Sequence, residues 1–136
     1  MDEIDDEIIR ILKENARSTY VDIGRTVGLS EGAVRNRVQA MVDTGVIRKF
    51  TIEVSTSMRL RALTMISVDP STPTSSVSAA VGGLPDVERI YEVTGEYDIA
   101  AILASPSIEG VNKCIEEIRG VGGVVKTNTM IVLRTL

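Results

Sequence analysis

Residues 28–45, GLSEGAVRNRVQAMVDTG, have the features of a short helix with a defined start and end. Ser30 is a preferred N-cap residue, because its hydroxyl accepts a hydrogen bond from a backbone N–H of the first turn. Gly28 and Gly45 flank the helix, and glycine adopts the positive φ that tight turns and helix C-termini require. The apolar positions recur every three or four residues, as in an amphipathic helix. They are Val34, Val38, Met41 and Val42.

The sequence before this helix predicts two further short helices. Residues 3–15 place isoleucine and leucine at helical spacing behind an acidic start, which suits a helix N-terminus. A second helix is expected to begin at Ser18 or Thr19 and to end at Gly28. Three short helices with a tight glycine turn between the second and third form a helix-turn-helix unit.

The polar face of the third helix carries arginine, asparagine and glutamine, whose donors and acceptors match base edges in the DNA major groove. In an isolated helix, a polar face that only contacts water is the more common case. The charge distribution favours the DNA interpretation. The chain has a formal net charge of −4, but residues 25–49 hold five basic residues and two acidic ones. A local basic region at the motif is expected of a DNA-binding surface.

Composition excludes several classes of protein. The chain has no histidine and one cysteine, so it has no intrachain disulfide, no Cys/His zinc site and no histidine base for catalysis. We expect no enzyme activity, no catalytic residue and no cofactor or metal. Cys114 falls in the apolar stripe of a predicted helix and is expected to be a small buried residue. No apolar run reaches membrane-spanning length and the N-terminus is acidic, so we expect a cytoplasmic protein.

The remaining sequence predicts a change of architecture. Residues 46–55, VIRKFTIEVS, alternate in a strand pattern, which predicts a hairpin that would make the unit a winged helix-turn-helix. We place the DNA-binding domain at residues 1–52, a linker strand at 53–61 and a second domain at 62–136.

The second domain alternates strand and helix patterns in the order βαββαβ, the order of a ferredoxin-like sandwich. The chain is therefore expected to have an α+β fold, with two helices on one face of an antiparallel sheet. A second copy of the chain is the simplest cover for the other face. The predicted elements are a strand at 63–68, a helix at 74–82, strands at 87–93 and 98–104, a helix from 108 to 118 and a strand at 124–136.

Three segments together resemble the Lrp/AsnC (feast/famine) family of transcriptional regulators. Residues 4–47 resemble the family's helix-turn-helix from start to end. Residues 93–105, VTGEYDIAAILAS, resemble the signature loop and strand of its ligand-responsive domain, and residues 124–136, VVKTNTMIVLRTL, resemble its last strand. The resemblance covers essentially the whole chain.

This resemblance implies a regulator that binds double-stranded DNA and forms a homodimer, which assembles further into a tetramer or octamer. It also implies that an amino-acid effector binds in the C-terminal domain, at the contact between dimers. Carried over to this sequence, the effector loop is Gly95, Glu96, Tyr97 and Asp98. Backbone N–H groups near a glycine turn can hold the effector carboxylate, and Asp98 can pair with its ammonium group.

Two alternatives stay open for the effector residues. The loop can be an ordinary turn in which the Asp98 carboxylate bonds to its own backbone. Thr127 and Thr129, two residues apart on the last strand, point the same way and can supply hydroxyls to the effector. They can equally be hydroxyls at a sheet surface.

For the third helix, we expect contacts with DNA from residues around the N-cap Ser30 and along the polar face. Those expected to face the groove are Glu31, Gly32, Arg35, Asn36 and Gln39. Those expected nearer the phosphates are Arg37, Arg48 and Lys49. Arg37 has an alternative, an ion pair with an acidic side chain of the same domain. At the position of Gly32 the family often has a small polar residue. Glycine has no side chain, so one hydrogen bond to DNA is removed at this position.

Two rival functions remain. An architectural DNA-binding protein without an effector would bind DNA with little sequence preference and a steep salt dependence. A relative of the haem-pathway decarboxylases, which resemble the family in fold, would need basic residues, including histidine, around a tetrapyrrole. The absence of histidine counts against this second function.

Overall fold

The computed structural model describes residues 1–55 and 59–136, which divide into two compact units, Met1–Val54 and Ser55–Leu136. The first unit is a set of three helices, α1 (Glu3–Glu14), α2 (Tyr20–Val27) and α3 (Glu31–Asp43). All three helices match the predicted ones to within one or two residues. Apolar side chains from each helix form its core. They are Ile8, Ile23, Val34, Val38 and Met41.

The capping residues form the contacts that their residue types predict. The Ser30 hydroxyl accepts a hydrogen bond from the Ala33 N–H at 3.2 Å, which starts α3. Gly28, with φ 75°, ends α2, and Gly45, with φ 77°, follows the C-terminus of α3. Both glycines therefore occupy the left-handed region in which other residues are strained.

The turn between α2 and α3 depends on a close backbone approach at Gly24. The Leu29 N–H donates to the Gly24 carbonyl at 2.9 Å. A Cβ placed on Gly24 would lie 2.3 Å from the Leu29 carbonyl oxygen, closer than real Cβ contacts. A residue without a side chain is thus required where the two helices meet.

The strand predicted to begin at Val46, and with it the wing, is wrong for the described residues. Residues 46–55 adopt no strand pairing. Their alternating pattern is strand-like, but a strand is stable only when a neighbour satisfies its backbone groups, and no other described segment of the chain lies in register with it. The linker strand predicted at 53–61 covers residues 56–58, which lie outside the described residues, and Leu60 already belongs to the following strand.

The second unit is a four-stranded antiparallel sheet with two helices. In chain order it contains β1 (Leu60–Val68), α4 (Thr74–Gly82), β2 (Val87–Glu92), β3 (Ile99–Ser105), α5 (Ile108–Arg119) and β4 (Val124–Ile131). The strand order is β2-β3-β1-β4. The predicted ferredoxin-like βαββαβ architecture is therefore confirmed. The last strand is shorter than the predicted 124–136, because its pairing with β1 ends where Ile131 lies opposite Ala62.

The two helices cover one face of the sheet. Alternate residues of β1 and β3, such as Ile66 and Leu103, are buried beneath α4 and α5. Cys114 of α5 belongs to this core, as predicted, and burial raises the pKa of its thiol to about 11. Residues of the opposite face include Tyr91 and Met130, which are 46% and 48% exposed.

Candidate functional site

The outward face of α3 presents the side chains predicted to face a DNA groove. Glu31, Arg35, Asn36 and Gln39 are all exposed. Gly32 is exposed as well, and a methyl group there would contact no atom within 4 Å. These five positions therefore share one accessible surface. Ser30, by contrast, uses its hydroxyl to cap the helix.

Two side chains of this surface are held by neighbours. The Arg35 guanidinium forms an ion pair with the Glu31 carboxylate and lies 5.8 Å from the centre of the Tyr20 ring. The Gln39 amide donates to the Asp43 carboxylate at 2.8 Å. Cation–π contacts and ion pairs restrict side-chain rotation, so Arg35 is oriented before any ligand binds. Sequence reasoning missed Tyr20, whose position beside Arg35 depends on the packing of α2 on α3.

Arg37 points away from this surface toward the start of α1. Its Nη1 lies 2.8 Å from an Asp2 carboxylate oxygen and 3.1 Å from an Asp5 oxygen. Asp2 also caps α1 by accepting from the Asp5 N–H at 2.9 Å. The hydrogen bond from Arg37 holds the pKa of Asp2 below its ordinary value, and the same bond raises the pKa of Arg37. The ion pair within the domain, left open as an alternative for Arg37, is the contact found.

Arg48 and Lys49 are exposed and follow α3 in irregular backbone rather than in a wing. They carry the positive charge nearest the C-terminal end of α3 in sequence. Such exposed basic side chains are suited to phosphate contacts, which need charge and reach but no fixed base geometry.

In the second unit, residues 95–98 form the turn between β2 and β3. Gly95 has φ 112°, which requires glycine. The Asp98 carboxylate accepts a hydrogen bond from the Val68 N–H at 2.7 Å. Lys126 of β4 holds the rest of the loop, with its Nζ 3.6 Å from the Glu96 carboxylate and 5.5 Å from the centre of the Tyr97 ring. The Asp98 carboxylate therefore bonds to the backbone of the neighbouring strand β1 and not, as the turn interpretation predicts, to the backbone of its own turn.

Thr127 and Thr129 line a cleft of about 500 Å³ between α5 and β4. Ligand pockets commonly have volumes of about 300–1,000 Å³. The cleft is mostly polar, and none of its lining residues belongs to the 95–98 loop. Sequence reasoning missed the contribution of α5, since polar residues on a helix are usually only solvated. The further lining residues are Asn112, Ile115, Glu116, Arg119 and Asn128.

Other kinds of site are not found in the described part of the chain. Within residues 1–55 and 59–136, no group of three or more metal-binding side chains could hold an ion. Within the same ranges, no helix is long and apolar enough to cross a membrane.

A helix-turn-helix unit followed by a ferredoxin-like sandwich is the domain arrangement of a class of two-domain regulators of transcription. Comparison with family models agrees with this class. Residues 1–42 match the AsnC-type helix-turn-helix domain, and residues 61–136 match the Lrp/AsnC ligand binding domain. The chain belongs to the Lrp/AsnC family of transcriptional regulators.

Individual relatives cover nearly the whole chain. The HTH-type transcriptional regulator LysM of Saccharolobus solfataricus is 42% identical over 135 residues, which is 99% of this chain and 95% of the relative. The structure of Escherichia coli AsnC has a TM-score of 0.81 at 27% identity and covers 99% of this chain and 93% of its own. A Neisseria meningitidis transcriptional regulator solved as a complex with L-Met has a TM-score of 0.83 at 23% identity, with coverage of 98% and 90%.

Proposed function

We propose that this regulator binds operator DNA through the outward face of α3 and responds to an amino-acid effector that binds in its second unit. The exposed set around Arg35 supports the first part, since it combines the side chains that read base edges in the major groove. Arg35 is the central residue of this surface because Tyr20 and Glu31 orient it. Arg48 and Lys49 supply phosphate contacts, which position the protein on the duplex.

Arg37 has a different role in this proposal. Its guanidinium is engaged by Asp2 and Asp5, and its side chain is 31% exposed. It therefore holds α3 against the start of α1 and sets the orientation of the DNA-binding helix.

The effector acts through assembly. Two helix-turn-helix units on one dimer bind half-sites about one helical turn, or a multiple of it, apart. The outer face of the sheet supports dimer formation, because Met130 and Tyr91 leave apolar surface uncovered there. An effector bound between dimers favours one assembly, a tetramer or octamer, to the extent that it binds that assembly more tightly.

An amino acid is the proposed effector because the cleft is polar and of suitable size. A regulator of the same fold has been solved with L-Met, which indicates that this architecture accommodates an amino acid. Thr127 and Thr129 contribute hydroxyls to the effector from the cleft. Residues 95–98, which do not line the cleft, are proposed to contribute backbone groups from the contact between dimers. The proposed role is regulatory rather than enzymatic, and a regulator that acts on DNA is placed in the cytoplasm.

The test is fluorescence anisotropy on DNA from upstream of the protein's own gene, at one fixed salt concentration, with and without each of the twenty amino acids. We expect tight binding to this DNA and a shift of the binding midpoint with one amino acid or a few. Binding that no amino acid changes would instead favour a constitutive architectural protein. Equal binding to this DNA and to random DNA would contradict the proposed operator recognition.

A further inference from the structure

The hydrogen-bond directions in the cleft between α5 and β4 define what a ligand must offer. Thr64 of β1 is fully buried, and its hydroxyl lies 3.0 Å from the Thr129 hydroxyl. A buried hydroxyl that donates to no acceptor is costly. Among the described residues, Thr129 is the only hydrogen-bond partner of the Thr64 side chain, so Thr64 donates and Thr129 accepts. The hydrogen of the Thr129 hydroxyl is then available to the cleft.

The same reasoning applies to Thr127. The Nε group of Arg119 donates to the Thr127 hydroxyl oxygen at 3.3 Å. A guanidinium has no acceptor, so Thr127 can only accept in this bond, and its own hydrogen is free to donate. The two threonines, two residues apart on the same face of β4, therefore both present donors toward the cleft.

Arg119 adds further donors. Its Nη1 donates to the Glu116 carboxylate at 3.0 Å. Within residues 1–55 and 59–136, its Nη2 has no protein acceptor, and the side chain is 57% exposed. The one acidic group of the cleft, Glu116, is thus paired with the one basic group. The two asparagines of the cleft, Asn112 and Asn128, each offer both a donor and an acceptor, so the threonine hydroxyls and the Arg119 Nη2 are the groups that shift the cleft toward donors.

From this imbalance we infer that the cleft selects an amino acid whose side chain ends in a carbonyl acceptor, a carboxylate or a carboxamide. This inference rests on the proposed effector function and adds the ligand class. An acceptor group pairs with the hydroxyls of Thr127 and Thr129 and with Arg119, while its methylene stem lies along Ile115. An aliphatic side chain offers no acceptor to either hydroxyl. A cationic side chain would lie against the Arg119 guanidinium.

The test is isothermal titration calorimetry of the full-length protein with glutamine, glutamate, asparagine and aspartate, and with lysine, arginine, leucine and methionine as the contrasting set. We expect at least one acceptor-ended amino acid to bind at least tenfold more tightly than every member of the contrasting set. Tighter binding of glutamate than of glutamine identifies the carboxylate as the preferred group, and the reverse identifies the carboxamide.

Variants locate the binding. T127V removes one donor and keeps the side-chain shape, and it is expected to weaken binding roughly tenfold. T129V alone would leave the buried Thr64 hydroxyl without a partner, so the matched variant is T64V/T129V, which removes both partners together. T135V, an exposed threonine outside the cleft, is the control and leaves affinity unchanged.

The outcomes separate the inference from the proposed function. Preferential binding of leucine or lysine, or unchanged affinity in T127V and T64V/T129V, overturns the inferred ligand class and leaves an amino-acid effector in place. If none of the eight amino acids binds at millimolar concentration, the inferred ligand class is overturned. If the same titration extended to all twenty also shows no binding, the effector function itself is overturned.

Discussion

The contact between Gly24 and Leu29 makes a sharp prediction about the helix-turn-helix unit. Gly24→Ala would place a methyl group 2.3 Å from the Leu29 carbonyl oxygen and 3.3 Å from its carbonyl carbon. Because both atoms are backbone, no side-chain rotation relieves the contact. The turn that joins α2 to α3 must shift, and the hydrogen bond from the Leu29 N–H to the Gly24 carbonyl lengthens with it.

The expected magnitude follows from two opposing effects. Replacing glycine by alanine inside a helix favours the helix by about 1 kcal/mol. Forcing an extra carbon into a packed contact costs about 1–3 kcal/mol, and a weakened buried hydrogen bond adds about 1 kcal/mol. We therefore expect Gly24→Ala to destabilise the first unit by about 1–3 kcal/mol. Gly32→Ala in α3 is the matched control, since its methyl group contacts nothing within 4 Å.

The assay is native-state hydrogen exchange of the buried amides of α2 and α3, because a chain of two units has no single melting temperature that reports on one of them. In Gly24→Ala these amides are expected to exchange roughly five- to 150-fold faster than in the parent protein. In Gly32→Ala they are expected to exchange at the parent rate or more slowly. Exchange in Gly24→Ala as slow as in Gly32→Ala would refute the close approach at the turn.

Three further predictions concern charge and reactivity. Arg37→Met is expected to weaken DNA binding without changing the slope of log affinity against log salt concentration. Lys49→Ala is expected to reduce the magnitude of that slope by about 0.9, because one phosphate contact is lost. A changed slope in Arg37→Met would show that Arg37 contacts a phosphate. Because the pKa of Asp2 lies below its ordinary value of 3.8, its pairing stabilises the fold above that pH and is lost as pH falls through the lower folded value. Asp2→Asn is expected to reduce the loss of unfolding free energy at acidic pH, measured by denaturation at a series of pH values. An unchanged acid dependence would contradict the pairing. Cys114, buried and with its pKa raised to about 11, is expected to resist iodoacetamide at pH 8 until denaturant is added, as followed by mass spectrometry; rapid labelling of the native protein would contradict its burial.

Much of the fold is predictable from the sequence because its signals are local. The caps at Ser30 and Thr19 use side chains that bond to backbone three residues away, so residue type and spacing are sufficient. The alternation in β1 and the periodicity of α5 reflect one buried face each. The strand pattern at 46–55 is equally local, but strand formation depends on a partner strand, which periodicity does not encode.

The features that the sequence leaves undecided or does not predict depend on contacts between distant residues. Arg37 and Asp2 are 35 positions apart, and their ion pair exists because α3 packs across the start of α1. The cleft forms because the helix-facing side of β4 brings Thr127 beneath Arg119. On the sequence alone, Arg119 is indistinguishable from a solvated residue near a helix C-terminus.

The central claim is that α3 reads DNA sequence, and the most direct measurement is the specificity ratio of an Asn36→Ala variant. Affinities for the operator and for a scrambled duplex of the same length are measured at one salt concentration, for the parent protein and the variant. Loss of a side chain that reads a base is expected to cost about 1–3 kcal/mol on the operator and to leave binding to the scrambled duplex unchanged. The ratio of the two affinities then falls. An unchanged ratio in Asn36→Ala, and likewise in Arg35→Ala, would contradict the assignment of α3 as the reading helix.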